Sequence, residues 1–409
     1  MVYPNSVSNF NEHNNNQIQI QIMPYRFAFM ISLMFVLGCK SDVPSPEFKG
    51  NEATEFEKLS ADFYVPEYKW GYINEEGKLA IADQYDDLRE FSDGLAAFNK
   101  AGVWGFLDRS GNEVIPARYR TVQAFTEGIA VVEDLNKRFH LLDREGQTIA
   151  DSIDLDGASK FQEGLSLINK GYLYGFMNKK GEVAIEPSYL YAKSFVDGMA
   201  LVQVENDFGF IDQSNNAVIP IQYEKLWYPK DNMIKFKRDG KFGFIDLNTK
   251  KEIASGFSSA TNFQGDYAVV NDGNNYLLID KNANTQILPF SHVDTGGEGK
   301  WIYNAGSKFG FLKNDGEVLC LPQYDLLMRY RDGRAGFANN DIWGYLDEKG
   351  AIIIPAQYPL VWDFVNGYAR MIGRYGFGFI DKNGNQFLPP QYMEVRDFSE
   401  GLARIQVYR

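Results

Sequence analysis

Trp104-Gly105-Phe106-Leu107-Asp108-Arg109-Ser110-Gly111 decides the reading of this chain, because the same phrase returns all along it. A glycine between two large apolar residues recurs as Trp70-Gly71-Tyr72, Tyr174-Gly175-Phe176, Phe208-Gly209-Phe210, Phe242-Gly243-Phe244, Phe309-Gly310-Phe311, Trp343-Gly344-Tyr345 and Phe377-Gly378-Phe379. Two degenerate copies, Phe139-His140-Leu141 and Tyr276-Leu277-Leu278, fill the gaps, and the ten copies then step at about 34 residues. Such a period marks a repeat architecture. It overrides the two or three domains that 409 residues would otherwise suggest.

Working outward from the glycine, Asp or Asn stands three residues later, as in Asp108, Asp143 and Asn178, and Gly three further on, as in Gly111, Gly146 and Gly181. Asp opens a type I turn by bonding its own backbone, and Gly takes the left-handed position that closes it. A strand with an apolar core and often a Pro follows, as in Val114-Ile115-Pro116. Pro cannot donate to a ladder, so that strand ends there or lies at an edge. Next come a Tyr (Tyr85, Tyr119, Tyr189) and an aromatic before a turn glycine, as in Phe91-Ser92-Asp93-Gly94. A short strand such as Ile129-Ala130-Val131-Val132 then leads into the next glycine strand. Each unit reads as an antiparallel meander of three strands, with room for a short fourth piece between Tyr and Phe. Within Trp104-Gly105-Phe106-Leu107, alternation puts the aromatics on one face and Gly with Leu107 on the other, so both faces are covered and units stack face to face. Glycine there lets a neighbouring ring or backbone approach closely.

These recurring positions resemble the WG repeat family of bacterial proteins over about residues 67–409, in ten units. The resemblance implies an all-β repeat domain, usually without catalytic activity, and no particular ligand. A propeller blade usually has four strands and 40 or more residues, and ten units exceed the usual blade count. Three-stranded units of this length therefore predict an open solenoid or superhelix, with a closed β-propeller as the alternative. Residues 285–300 lack the usual Tyr and Phe, which predicts looser or differently filled packing around Leu277 and His140.

The amino-terminal part reads as an address. Residues 27–38 form a short apolar run behind Arg26, too short to span a bilayer comfortably, and end in Val36-Leu37-Gly38-Cys39. This resembles the lipobox of a bacterial lipoprotein, which implies a signal peptide over 23–39 and acylation of Cys39, palmitate included, giving a stable membrane anchor. Residues 1–22 carry no Lys or Arg and read as an upstream, disordered extension with Met23 as the start. Lys40 after the Cys favours the outer membrane in the sorting pattern it resembles, and the polar, Pro-containing 40–66 reads as a tether.

Chemistry is sparse. The net charge of −13 disfavours nucleic acid. His13, His140 and His292 have no His or Cys neighbours at ligand spacing, so no metal or other cofactor is expected. The repeated Asp turns offer one carboxylate each, which suits turn chemistry better than calcium. Neither a phosphate loop nor a nucleophile elbow is present. Trp227, Tyr228, Trp301, Tyr303 and Trp362 depart from the repeat or precede variable loops, and are the candidates for exposed contacts. The expectation is a non-enzymatic, lipid-anchored binding or scaffold protein of the bacterial envelope that presents its repeat surface to a protein partner. The alternatives are a glycan-binding lipoprotein and an enzyme with its site in inter-repeat loops. Function is expected where the beat breaks, at His140 and Leu277, or on variable loops.

Overall fold

The computed structural model describes residues 67–408. The readings of 1–22, 23–39 and 40–66, Cys39 included, lie outside them. The described residues contain strands and turns and no helix.

They form ten antiparallel sheets of four strands each. The first sheet has strands Asp87–Leu88, Leu95–Lys100, Val103–Asp108 and Glu113–Tyr119, paired in that order. The two-residue first strand is the short piece between Tyr and Phe, so the unit has four strands rather than three. The Asp108 turn is built as its sequence requires. Asp108 Oδ1 accepts from the N–H groups of Ser110 and Asn112 at 2.9 Å, and Gly111 takes φ 84°. In Phe91-Ser92-Asp93-Gly94-Leu95, Asp93 and Gly94 both have positive φ, and Ser92 and Leu95 exchange backbone hydrogen bonds. This is a two-residue hairpin whose turn twists with its strands.

The signature glycine is explained by the fourth strand. Trp104 pairs with Tyr119 and Phe106 with Ile115, so the fourth strand bulges between those pairs. A Cβ on Gly105 would lie 2.5 Å from the Ile115 carbonyl and 2.6 Å from the Ala117 nitrogen. Pro116 sits in this bulge, and the fourth strand is the terminal strand of its sheet. Where glycine is lost, the bulge changes. Opposite Leu277, Thr285–Leu288 pairs in unbroken register, and opposite His140 the bulge is one residue shorter.

Neighbouring sheets bury apolar clusters between them. Phe106 and Ile115 of the first sheet meet Val122 and Phe125 of the second, with the Phe106 and Phe125 rings 4.7 Å apart edge to face. Leu107 faces the other way, onto Trp70, Tyr72 and Tyr85.

The expected open solenoid is overturned here. The tenth sheet takes its first two strands, Glu394–Val395 and Leu402–Tyr408, from the end of the described chain and its last two, Tyr68–Asn74 and Leu79–Tyr85, from the beginning. Tyr68–Asn74 pairs with Leu402–Tyr408 over seven consecutive residues. Ten sheets in an open stack would have nine interfaces. Ten separate clusters are present, one at each junction, including Leu88 and Phe91 against Trp70 and Tyr72. The architecture is a closed ten-bladed β-propeller. Ion pairs tie the closing sheet to both neighbours: Arg404 to Glu90 at 2.9 Å and Arg370 to Asp397 at 2.8 Å.

Candidate functional site

The repeat breaks at two places. In the second sheet His140 stands where glycine belongs, in strand Phe139–Leu142. The shortened bulge opposite it lifts Asp151 beside the ring, and the hairpin before it brings Asp134 to the other side. His140 Nδ1 lies 2.7 Å from Asp151 Oδ1, and Nε2 lies 3.3 Å from Asp134 Oδ2. The Ser152 N–H also points at Nδ1, at 3.3 Å. Nε2 makes no well-aligned hydrogen bond among the described residues. The Arg138 N–H, against some burial and with help from His140, holds the Asp134 carboxyl below its ordinary range. Arg118 and Tyr119 of the first sheet complete a shallow cleft of about 260 Å³.

The two carboxylates approach opposite edges of one imidazole. One ion cannot use both, and the described residues hold no cluster of three metal-ligating side chains. The cleft can hold a polar group by hydrogen bonds, but it contains no nucleophile paired to a base.

In the sixth sheet the break is compensated inside. The turn aromatic of the seventh sheet is missing at Thr295-Gly296, and Trp301 fills that volume from the second strand, where the other sheets mostly carry Ala. Trp301 is 0% exposed, and its Nε1–H donates to the Asn314 carbonyl at 3.1 Å. Tyr303 is buried beside it and donates to the Cys320 carbonyl. Both were expected at the surface. They are core residues instead: Trp301 fills the space left by the missing turn aromatic, and Tyr303 holds the position opposite the signature glycine that Phe98 and Phe236 hold in other sheets. Tyr228 is half-buried and takes the slot of the turn Phe, 5.2 Å from Phe210, with its hydroxyl donating to the Ser194 carbonyl. Burial pushes its phenol up to about 12. Trp227 and Trp362 are half-buried, with Lys235 4.3 Å and Arg370 5.1 Å from their ring centres. The five aromatics lie in the fifth, seventh and ninth sheets and form no common site.

Sequence reading passed over a belt of inter-sheet clasps. At most junctions the residue before the turn glycine accepts from the backbone N–H of the next sheet's turn glycine: Asp93 from Gly128, Glu127 from Gly164, Glu298 from Gly333, Asp332 from Gly367. Glu400 does the same for Gly94 across the closure, 306 residues away. A cation joins at three junctions, Arg109 on Glu400 at 3.9 Å and, closer, Lys179 on Glu127 and Lys382 on Asp332. Burial raises the Glu127 and Asp332 carboxyls, but the lysines and glycine N–H groups outweigh it and hold both below their ordinary values. The recurring acid before the turn glycine was the available clue.

The model of the WG containing repeat matches residues 70–104, 104–137, 174–206, 208–242, 242–276, 343–371 and 377–408, more than half of the chain. The chain belongs to the WG repeat family. The unmatched stretches of this WG repeat propeller include both the shortened strand after His140 and the refilled seventh sheet. No curated protein matches its sequence. Among solved structures it is similar to a eukaryotic initiation factor at 10% identity, covering 84% of this chain and 98% of that chain with a TM-score of 0.43. It is also similar to BamB from Moraxella catarrhalis at 10% identity, covering 83% and 97% with a TM-score of 0.35. A third is PorZ, a surface component of the type-IX secretion system of Porphyromonas gingivalis, at 12% identity, 80% and 53% coverage and a TM-score of 0.27.

Proposed function

We propose that this WG repeat propeller is a non-enzymatic scaffold of the bacterial envelope, anchored at the outer membrane through acylated Cys39, that recruits a protein partner by adding a strand to its sixth sheet. The observation that carries the recruiting role is the fourth strand of that sheet, Thr285–Leu288. In every other sheet the ladder to the fourth strand is interrupted by a register shift. Six of those strands also carry Pro inside them, such as Pro116, Pro187 and Pro355. Bulges and prolines are devices that stop sheet edges from pairing. Thr285–Leu288 has neither, pairs in continuous register, and holds Ile287 62% exposed at the terminal position of its sheet. A straight edge with neither bulge nor proline is what an extended peptide needs for strand addition. Leu277 stands here in place of the signature glycine, and the strand opposite it pairs without a bulge.

A photo-crosslinking residue at Ile287 in intact envelopes tests this. A protein adduct is expected there and not at the matched Val114 on the bulged first sheet, and Gln286→Pro should abolish it. Equal adducts at both positions, or tight sugar binding that depends on Trp227 and Trp362, would replace the strand-addition reading with another.

A further inference from the structure

The two ends of the propeller differ in kind. In each sheet the first-to-second and third-to-fourth turns share one end, while the second-to-third hairpin and the link to the next sheet share the other. The clasps between successive turns keep all sheets in the same sense around the ring. Of the twenty exposed large hydrophobics, eleven lie at the hairpin end and the other nine along fourth strands. Four of those nine, Leu79, Val183, Val318 and Ile352, open their fourth strands at the opposite end.

The hairpin-end residues fall on two arcs. One spans the second to fourth sheets with Leu135, Tyr172 and Leu190, and the other the eighth to tenth with Ile342, Tyr375 and Met393. Tyr172 is 93% exposed and Tyr375 74% exposed, both at hairpin tips, with Arg374 5.5 Å from the Tyr375 ring centre. Tyrosine combines an apolar ring with a polar tip, which suits it to the boundary between lipid headgroups and acyl chains. The chain also enters the propeller at this end: Tyr68 starts the third strand of the closing sheet, beside Tyr408. Twenty-seven residues, 40–66, separate it from Cys39.

We propose that the hairpin face rests on the lipid surface that holds the anchor, with Tyr172 and Tyr375 dipping into the headgroup region and the clasp face turned away. This rests on the reading of Cys39 as acylated. The occupant is lipid because the tether enters on the same face as the apolar tips. A face so placed meets the bilayer whenever the anchor holds it near.

The test uses the mature chain with Cys320→Ser, reconstituted in phosphatidylethanolamine–phosphatidylglycerol vesicles, with an environment-sensitive fluorophore on Tyr172→Cys, Tyr375→Cys or, on the opposite face, Ser110→Cys. Blue-shifted emission is expected at 172 and 375 and none at 110. In an unacylated Cys39→Ser chain, Tyr172→Ser with Tyr375→Ser should lower vesicle partition about tenfold. Intact mass distinguishes the failures. An acylated chain whose 172 and 375 labels do not shift overturns the face assignment alone. A chain without acyl groups overturns the anchor, and its partition then decides the face independently. Labels that shift only when a protein is added would make this a protein-binding face and overturn the lipid proposal.

Discussion

Replacing Gly105 by Ala tests the physical reason for the repeat. The φ of Gly105 is not left-handed, so alanine brings no backbone strain of its own. The obstacle is backbone on the next strand: the added methyl would lie 2.5 Å from the Ile115 oxygen, 2.6 Å from the Ala117 nitrogen and 2.8 Å from the Pro116 carbonyl carbon. None of these is the end of a flexible side chain, so the bulge itself must move. Overpacking of this kind costs roughly 1–3 kcal/mol, against a gain of about 0.4–1 kcal/mol from the stiffer unfolded chain, leaving a net loss of about 2 kcal/mol at the upper end. Gly128→Ala is the control. Its methyl meets open space, but its φ of 82° is left-handed, for a cost of about 1 kcal/mol that does not touch the fourth strand. Denaturant unfolding gives the totals, and amide exchange over Glu113–Tyr119 separates the causes. Gly105→Ala should speed exchange in that strand and Gly128→Ala should leave it unchanged. Unchanged exchange and stability in Gly105→Ala would refute the claim that the glycine exists to admit the bulge.

Asp332→Ala removes the acceptor of the Gly367 N–H and the partner of Lys382, and should cost about 1–2 kcal/mol with faster exchange at Gly367. The depressed carboxyls of Glu127 and Asp332 set a pH dependence. The folded chain binds fewer protons at these groups than the unfolded one, so their contribution is complete above the ordinary carboxylate pKa of about 4 and is lost as the pH falls through the lower folded values. Unfolding followed across acid pH should therefore show stability falling below that value, and less steeply in a Glu127→Gln, Asp332→Asn chain. Trp301→Ala should cost about 3–5 kcal/mol, as for a fully buried ring, while Trp227→Ala at a half-buried site should cost clearly less; equal losses in calorimetry would contradict the core assignment of Trp301.

The parts of this fold written within one repeat were legible, and the parts that need two distant repeats were not. Asp108 and Gly111 announce their turn through side-chain bonding and a left-handed glycine. Trp104-Gly105-Phe106-Leu107 announces a strand covered on both faces. Asp87–Leu88, the first strand of its sheet, is too short to display alternation, so a count of four strands per unit was only a suggestion. Closure depends on Tyr68–Asn74 meeting Leu402–Tyr408, a pairing that no local pattern encodes. A clue was present: the repeat region starts in the middle of a unit, at a third strand, and ends after a second strand, so its two ends are complementary halves of one sheet. Trp301 misled for a related reason. Its departure from the repeat looked like a surface feature, but it answers the absence of the turn aromatic at Gly296, and only the packing between two sheets joins those facts. His140 was marked as a break, while its two carboxylates, one from the hairpin before it and one from the strand after it, were not foreseen as its neighbours.

Closure is the central claim, and the distance between residues 68 and 408 tests it most directly. Spin labels on Tyr68→Cys and Tyr408→Cys, with Cys39→Ser and Cys320→Ser, report it by pulsed dipolar spectroscopy. The closed propeller pairs these residues across neighbouring strands, with backbones about 5 Å apart, so the labels should lie within about 20 Å. An open stack would leave them on half-sheets at opposite ends of nine complete sheets, ten spacings of about 10 Å and so about 100 Å apart, and a distance in that range would contradict the closed propeller.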